Sequence, residues 1–234
     1  MKKNPLVLCL TNAVAANFTA NCLLAIGARP AMVEEPSEAE ELAAVADALL
    51  VNLGTVTERQ AEAMRRAVRV ANAKGIPWVL DPVGVQILSC RRNLARELIG
   101  LKPSLIRGNK AEIDSLGPTG IVTLATGPID TIEHHSSDIA SQSDLRLVDI
   151  SNHPNNRKIS ISGGVLMLQT VTATGCAQGG VCAAFLGRGQ SPQDAALSAS
   201  KLLKRAGEVA WERAKAPGSF QVALVDALWE LSHD

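Results

Sequence analysis

The stretch from Ala48 to Val83, ALLVNLGTVTERQAEAMRRAVRVANAKGIPWVLDPV, predicts a strand, a helix and a second strand in succession. The apolar run at residues 48–53 is followed by Thr-Glu-Arg-Gln at 57–60, a capping-box pattern that opens a helix. Gly75 stands where a left-handed residue ends a helix, and residues 77–83 form the next apolar run. Two apolar strands joined by a helix indicate parallel pairing in a sheet that is buried on both faces.

The rest of the chain continues this alternation of apolar strands and helical patterns. A second capping-box pattern, Ser-Glu-Ala-Glu at 37–40, predicts another helix start. We therefore expect an α/β fold with a mostly parallel central sheet covered by helices on both faces, in a single domain over residues 1–234. Further strands are expected at 6–10, 104–107 and 120–125, and helices at 12–26, 37–47, 91–100, 176–186, 193–215 and 221–232.

Composition and charge exclude several classes of function. The 234 residues carry 23 Lys and Arg against 23 Asp and Glu, so no net field attracts nucleic acid or an acidic membrane. Aromatic residues make up only 3% of the chain, too few for base-stacking platforms. No apolar run reaches the roughly 18 residues of a membrane span. Five cysteines without a CxxC pattern indicate neither a disulfide framework nor a zinc site, so we expect a reduced, cytoplasmic protein.

The decapeptide Val-Thr-Ala-Thr-Gly-Cys-Ala-Gln-Gly-Gly at 171–180 carries the strongest single chemical signal. A Gly- and Thr-rich turn that leads into a helix points backbone N–H groups outward, and the positive end of the helix dipole lies behind them. Such a turn can hold a phosphate, and Cys176 in that field would favour its thiolate. Taken alone, the same residues also fit a tight turn with a buried cysteine.

Other polar residues directly follow the predicted strands, at the edge where a parallel sheet places its chemistry. They are Asp81, Arg107 to Asn109 with Glu112 one helical turn further, and the pair Thr126 and Gly127. Each alone fits an ordinary turn. Together, two carboxylates, an arginine, a Thr-Gly pair and an anion-binding helix start indicate phosphoryl transfer, in which carboxylates hold Mg²⁺ and the cation offsets the charge of ATP. No Walker A pattern is present, which excludes a P-loop enzyme.

Eight further segments occur along the chain in a fixed order and spacing. They are PLVLCLTN at 5–12, LLAIGARPAM at 23–32, NLGT at 52–55, LDPVG at 80–84, IRGN at 106–109, TGC at 174–176, AGE at 206–208 and PGSF at 217–220. In these segments the chain resembles the hydroxyethylthiazole kinases, the thiamine-salvage members of the ribokinase-like superfamily. The similarity extends over residues 5–113 and 162–231, so it is far more specific than any single motif. It implies a ribokinase-like fold and ATP-dependent phosphorylation of the hydroxyl of 5-(2-hydroxyethyl)-4-methylthiazole.

The resemblance also implies the thiazole site and its oligomer. Asn12, Val14 and Met32 would line the thiazole pocket, together with Ala173 beside the cysteine turn. In the family, a neighbouring subunit of a homotrimer completes this pocket, so residues 12–32 are expected at a subunit interface.

The remaining roles concern phosphoryl transfer. Asp81 and Glu112 would organise Mg²⁺, and Arg107, Thr126 and Asn109 would contact ATP. Thr174, Gly175 and Cys176 would form the anion hole, with Cys176 near the substrate hydroxyl. The resemblance leaves open whether Cys176 accepts the hydroxyl proton or only positions the substrate.

Three features depart from the family pattern. Ala173 replaces a glycine three residues before the cysteine, which matters if that position needs a positive φ. A helix expected after Ile113 is missing, since only residues 114–119 intervene before the next strand. Residues 133–160 form a long polar segment, interpreted as a loop or small hairpin. These departures leave two alternatives to an active thiazole kinase: a non-catalytic relative that binds thiazole or nucleotide, and a kinase for another small heteroaromatic alcohol.

Overall fold

A computed structural model describes residues 4–134, 148–153 and 156–233. Its strands are β1 (Leu6–Leu10), β2 (Arg29–Met32), β3 (Ala48–Asn52), β4 (Trp78–Asp81), β5 (Leu105–Asn109), β6 (Thr123–Thr126), β7 (Asp130–His134), β8 (Val148–His153) and β9 (Asn156–Ile161). Its helices are α1 (Ala16–Ala25), α2 (Pro36–Ala43), α3 (Glu58–Lys74), α4 (Ser89–Gly100), α5 (Lys110–Leu116), α6 (Thr174–Gly187), α7 (Pro192–Arg213) and α8 (Pro217–His233), with a 3₁₀ turn at Leu166–Gln169.

The strands of the described residues form one sheet in the order β2-β1-β3-β4-β5-β6-β7-β9-β8. Neighbours from β2 to β6 are parallel, and β7, β9 and β8 continue the sheet in antiparallel pairing. The sheet is therefore mostly parallel, as the apolar strands predict. The carboxyl ends of β1, β3, β4 and β5 meet at one edge, where α/β sheets bind ligands.

Helices cover both faces of the sheet, and alternate residues of β3 show how the two faces are separated. Leu50 belongs to a buried cluster with residues of α1, α6, α7 and α8. Its neighbours Leu49 and Val51 belong to a second buried cluster with residues of α2, α3 and α4. Because side chains alternate along a strand, an all-apolar strand feeds both clusters at once. The predicted coverage on both faces is confirmed.

The two capping-box predictions have different outcomes. At the start of α3, Thr57 Oγ1 accepts from Gln60 N at 3.2 Å and Gln60 Oε1 accepts from Thr57 N at 3.0 Å, so that prediction is confirmed. The capping box predicted at Ser37 is wrong, because no side chain caps this helix, whereas the predicted helix itself is present as α2 and begins at Pro36. Proline suits the first turn of a helix, since its φ is preset and no N–H is left without a partner there.

The centre of the chain differs from the sequence pattern in two places. The seven-residue helix α5 is the only helix between β5 and β6, a region that the structure describes in full, so the long helix predicted to be missing is indeed absent there. In the polar segment 133–160, β8 pairs antiparallel with β9, which confirms the hairpin interpretation for that part. Residues 135–147 and 154–155 of the segment lie outside the described residues.

Four further elements were not expected from the sequence: β2, β7, α5 and the 3₁₀ turn at Leu166–Gln169. Strand β2 is only four residues long and has no fully buried residue, so its apolar pattern is weak.

Among the described residues, no helix is long and apolar enough to cross a membrane.

Candidate active site

A chain of hydrogen bonds joins three strand ends at the carboxyl edge of the sheet. Asn12, just after β1, donates through Nδ2 to Asn52 Oδ1 at 2.9 Å. Asn52, at the end of β3, donates through Nδ2 to Asp81 Oδ2 at 2.6 Å, and Asp81 ends β4. All three residues are buried. The sequence motifs include Asn52 but give it no role; an amide at the end of an otherwise apolar strand was the available signal.

Asp81 is a fully buried carboxylate, and one of its two oxygens has no hydrogen-bond partner. Its Oδ2 accepts from Asn52 and lies 3.6 Å from Arg107 Nη1, whereas Oδ1 has no hydrogen-bond partner. Burial raises the pKa of Asp81 to about 6; Arg107 lowers this pKa, and the nearby Glu112 carboxylate raises it further. A buried carboxylate with one unpartnered oxygen favours any cation that can reach it.

Arg107 lies between the carboxylate and the start of α6. Its Nη2 donates to Thr126 Oγ1 at 2.7 Å, which brings the Thr126 predicted from the sequence into the site. The guanidinium also lies directly against the backbone of Gly175, because a Cβ there would be 2.8 Å from Nη2. Only glycine, which has no Cβ, permits this approach, so the guanidinium is in direct contact with the backbone of the first turn of α6.

The turn before α6 contains a strained residue. Ala173 adopts φ +72° and ψ −1°, the left-handed conformation, and no side chain caps the helix. A Cβ in this conformation costs roughly 1–2 kcal/mol. The sequence anticipated that alanine would be strained here if the position needs a positive φ, and the backbone shows that it does.

Cys176 lies in the first turn of α6, with Sγ 3.7 Å from Asn12 Nδ2. Burial raises the pKa of the Cys176 thiol to about 11, and the Asp81 carboxylate adds to this, while Arg107 and hydrogen bonds from Asn52 and Asn12 lower it. The expectation of a favoured thiolate is therefore wrong, since desolvation and a like charge outweigh the arginine. All five cysteines are free.

Glu112 is buried and holds two loops together. Its Oε2 accepts from Asn109 N at 2.8 Å and its Oε1 accepts from Gly84 N at 2.9 Å. Asn109 Oδ1 in turn accepts from Glu112 N at 2.9 Å, which makes a capping box for α5. The carboxylate thus fixes the loop after β4 against the end of β5.

A cavity of about 420 Å³ opens beside this edge. Its walls include Arg107, Asn109, Thr126, Thr174, Gly175 and Lys204. None of the four residues expected at the thiazole, Asn12, Val14, Met32 and Ala173, lines this cavity. Val14 is 62% exposed, and Met32, on the edge strand β2, is 37% exposed. The structure therefore brings together the residues expected for nucleotide and metal with Asn12 and Cys176, and leaves the thiazole side open in a single chain.

A model of the hydroxyethylthiazole kinase family matches residues 1–234. The chain belongs to this family. The hydroxyethylthiazole kinase of Citrobacter koseri is 43% identical over 239 residues, which cover 98% of this chain and 90% of that protein. The resemblance drawn from the motifs is confirmed, and so is the prediction of a hydroxyethylthiazole kinase, a phosphotransferase of thiamine salvage that uses ATP.

Solved structures support the fold. The hydroxyethylthiazole kinase of Pyrococcus horikoshii OT3 has a TM-score of 0.84 and 32% identity, covering 97% of this chain and 88% of that one. A ribokinase-like superfamily protein of Enterococcus faecalis V583 has a TM-score of 0.63 at 12% identity, covering 98% of this chain and 88% of that chain, a likeness of fold alone. The predicted ribokinase-like architecture is confirmed.

Proposed function

We propose that the start of α6 is the site at which the γ-phosphoryl group of ATP passes to the hydroxyl of 5-(2-hydroxyethyl)-4-methylthiazole. The observation that carries this is the convergence of the Arg107 guanidinium, the Gly175 backbone and the Asp81 carboxylate at one helix N-terminus. Phosphoryl transfer needs positioning and stabilisation of negative charge more than covalent chemistry. A cation and helix amides fixed in one place supply that stabilisation.

The nucleotide occupies the cavity beside this helix start. Arg107 and Thr126 face it from the ends of β5 and β6, and Thr174 and Gly175 face it from α6. ATP phosphates held there are attracted by the positive end of the helix dipole and by the guanidinium. This assignment gives Asn109, which also lines the cavity, a place at the nucleotide.

Asp81 and Glu112 suit Mg²⁺ as the metal. Both side chains offer carboxylate oxygens, the ligand type that Mg²⁺ prefers, and Asp81 Oδ1 has no hydrogen-bond partner within the protein. Among the described residues, no group of three or more His, Cys, Asp or Glu could hold a metal by itself. That agrees with a metal bound chiefly through phosphates and water, as Mg²⁺ usually is. When bound, Mg²⁺ neutralises charge on the phosphates that Arg107 and α6 also hold.

The acceptor alcohol lies on the other side of Cys176, against Asn12. Because the thiol carries its proton at neutral pH, Cys176 positions the hydroxyl and does not serve as the base. A loose transition state places little demand on a strong base, since the attacking oxygen forms its bond late. The same proposal assigns Ala173, which directly precedes α6, to the thiazole side.

The open thiazole side supports a homotrimer. Val14 just before α1, Leu24 in α1 and Met32 in the edge strand β2 are exposed apolar side chains, with exposed fractions of 62%, 57% and 37%. A second copy packed here would cover the apolar patch and close the pocket. Light scattering on the purified protein tests this, with three times the chain mass expected; a monomer that turns over normally would overturn it.

The function is tested by a turnover assay with Mg²⁺, ATP and the thiazole alcohol, following the phosphate ester directly. We expect ester formation that depends on all three components. Thiazole binding by calorimetry without product would instead support the non-catalytic relative. Turnover with a pyrimidine or pyridoxal-like alcohol but not with the thiazole would support a kinase of another heteroaromatic alcohol.

We also propose a single kinase domain over residues 1–234 and a cytoplasmic location. Support for the single domain comes from the sheet, whose described strands run without a break from β2 to β8. The five free cysteines support a reducing compartment. Limited proteolysis and fractionation of the source cell would test these two points.

A further inference from the structure

Lys204 is a buried cation on the wall of the nucleotide cavity, and none of the roles above uses it. It lies in α7 and is only 6% exposed. Its stem packs against Gly164, where a Cβ would lie 3.1 Å from Lys204 Cγ. Lysine is rarely buried unless its charge is met, so its surroundings need an explanation.

Four oxygens surround the Lys204 ammonium. Nζ lies 3.1 Å from Pro128 O, 3.2 Å from Gly163 O and 3.4 Å from Gly127 O, and 3.5 Å from Asp130 Oδ1. The carbonyls come from two separate loops, one between β6 and β7 and the other after β9. Several backbone carbonyls with one carboxylate are the kind of oxygen cage in which proteins hold hard cations such as K⁺.

The cage is connected to the transfer site. Asp130 Oδ1 accepts from Gly127 N at 3.0 Å, and Asp130 Oδ2 accepts from Gln178 Nε2 at 3.3 Å. Gln178 Oε1 accepts from Arg107 Nη2 at 3.4 Å. Asp130 and Gln178 are both buried. Without the ammonium, Asp130 would be a buried carboxylate with no countercharge, and the turn at 127–128 would lose what holds it.

We propose that the Lys204 ammonium is a built-in monovalent cation of the nucleotide site. It occupies the oxygen cage that a bound K⁺ or NH₄⁺ would otherwise fill, and it fixes the turn at 127–130 beside Thr126 and Arg107. Lys204 is thus a positioning residue, since it acts on the nucleotide through the loops it joins. The enzyme consequently needs no added potassium or ammonium. This inference rests on the nucleotide site proposed above.

The test compares Lys204→Met, which keeps the apolar stem and removes the charge, with Lys201→Met on the same helix as control. Assays use choline as the sole monovalent cation, followed by additions of KCl or NH₄Cl at constant ionic strength. The wild type and Lys201→Met should be indifferent to both salts. Lys204→Met should lose about tenfold or more in kcat/KM for ATP, mainly through KM, because a buried charge loses its partner. K⁺ or NH₄⁺ should restore this loss in a saturable way, whereas choline should not.

Thermal melting without nucleotide gives a second readout. K⁺ should raise the Tm of Lys204→Met and leave the wild type unchanged. Three results would each overturn the inference: activation of the wild type several-fold by K⁺, full activity of Lys204→Met in choline, or a loss in Lys204→Met that neither salt restores. If Lys204→Met does not fold, Lys204→Gln and the wild-type potassium titration decide. Melting is measured without ATP, so it tests the cation cage independently of the nucleotide site. A wild type that does not bind ATP would contradict the proposed nucleotide site, and the melting result would still decide the role of Lys204.

Discussion

Helices α3 and α6 begin in opposite ways, and the difference separates stability from function. At α3, Thr57 and Gln60 satisfy each other's backbone N–H groups through their side chains. At α6, no side chain caps the helix, and Ala173 holds a left-handed conformation instead. A helix that only packs gains from a cap, whereas one that binds phosphate needs its first N–H groups available to the ligand.

The largest effect should come from removing the cation at the start of α6. Arg107→Met should lower kcat by about 10²–10³-fold, the usual cost of one donor at a site of developing charge. The matched change at α3, Thr57→Ala, should leave kcat unchanged and cost about 1 kcal/mol of unfolding free energy. Steady-state kinetics and urea unfolding of both variants measure this contrast. Equal activity losses in the two variants would contradict it.

Gly175→Ala sharpens the same contrast with one methyl group. The new Cβ would lie 2.8 Å from Arg107 Nη2, so the guanidinium must move away from the helix start. A misplacement of this size should lower kcat by roughly ten- to a hundredfold. Gly218→Ala in α8 is the control, because no atom lies within 4 Å of a Cβ there. If both variants retain full turnover, the close approach of Arg107 does not matter for catalysis.

The pH dependence should show an acid limb from Asp81. Its pKa is raised to about 6, and the ionised form is needed to favour the metal, so kcat/KM for ATP should fall as pH drops below about 6. The decrease in kcat/KM should approach tenfold per pH unit, because binding of a single proton to Asp81 inactivates the free enzyme. The same shift implies that this carboxyl favours folding most at low pH and loses that contribution as pH rises through 6. A flat profile of kcat/KM between pH 5 and 8 would contradict the role of Asp81.

Cys176→Ser should have a smaller effect. With a thiol pKa near 11, the cysteine is neutral at pH 7, and serine keeps a neutral side chain of similar size. We expect less than about a tenfold loss in kcat, as for a lost positioning contact of 1 kcal/mol or so. The measurement is kcat at saturating ATP and thiazole from pH 6 to 9. A loss of a thousandfold or more would restore the thiolate-base hypothesis.

Local patterns predicted much of the fold. The strand-helix-strand stretch at 48–83 and the cap at Thr57 depend on neighbours in sequence, and both agree with the structure. The false capping box at Ser37 also had a local cause, since Pro36 fits the first helical turn and moves the boundary forward. Short, partly exposed β2 was missed because four residues without a buried side chain leave too little pattern.

The site was harder to predict wherever chemistry depends on distant parts of the chain. Asn52 acts through β1 and β4, which only the sheet order brings together. In the sequence, Lys204 is indistinguishable from an ordinary lysine of an amphipathic helix. Only the folded chain brings carbonyls of two separate loops around it. The Cys176 thiol was expected to ionise because its helix start is visible in sequence, whereas burial and the charge of Asp81 are not.

The smallest effect concerns the left-handed residue that distinguishes the start of α6. Ala173→Gly removes a Cβ from a backbone at φ +72°, which relieves roughly 1 kcal/mol of strain, partly offset by the greater freedom of glycine in the unfolded chain. The variant should therefore melt at the same or a slightly higher temperature and retain the wild-type kcat, because the amides and Arg107 stay in place. Calorimetric unfolding and steady-state kinetics measure the two quantities. A large gain in kcat would instead mean that alanine displaces the turn in the wild type, so that the start of α6 is a compromised anion site and not merely a strained one.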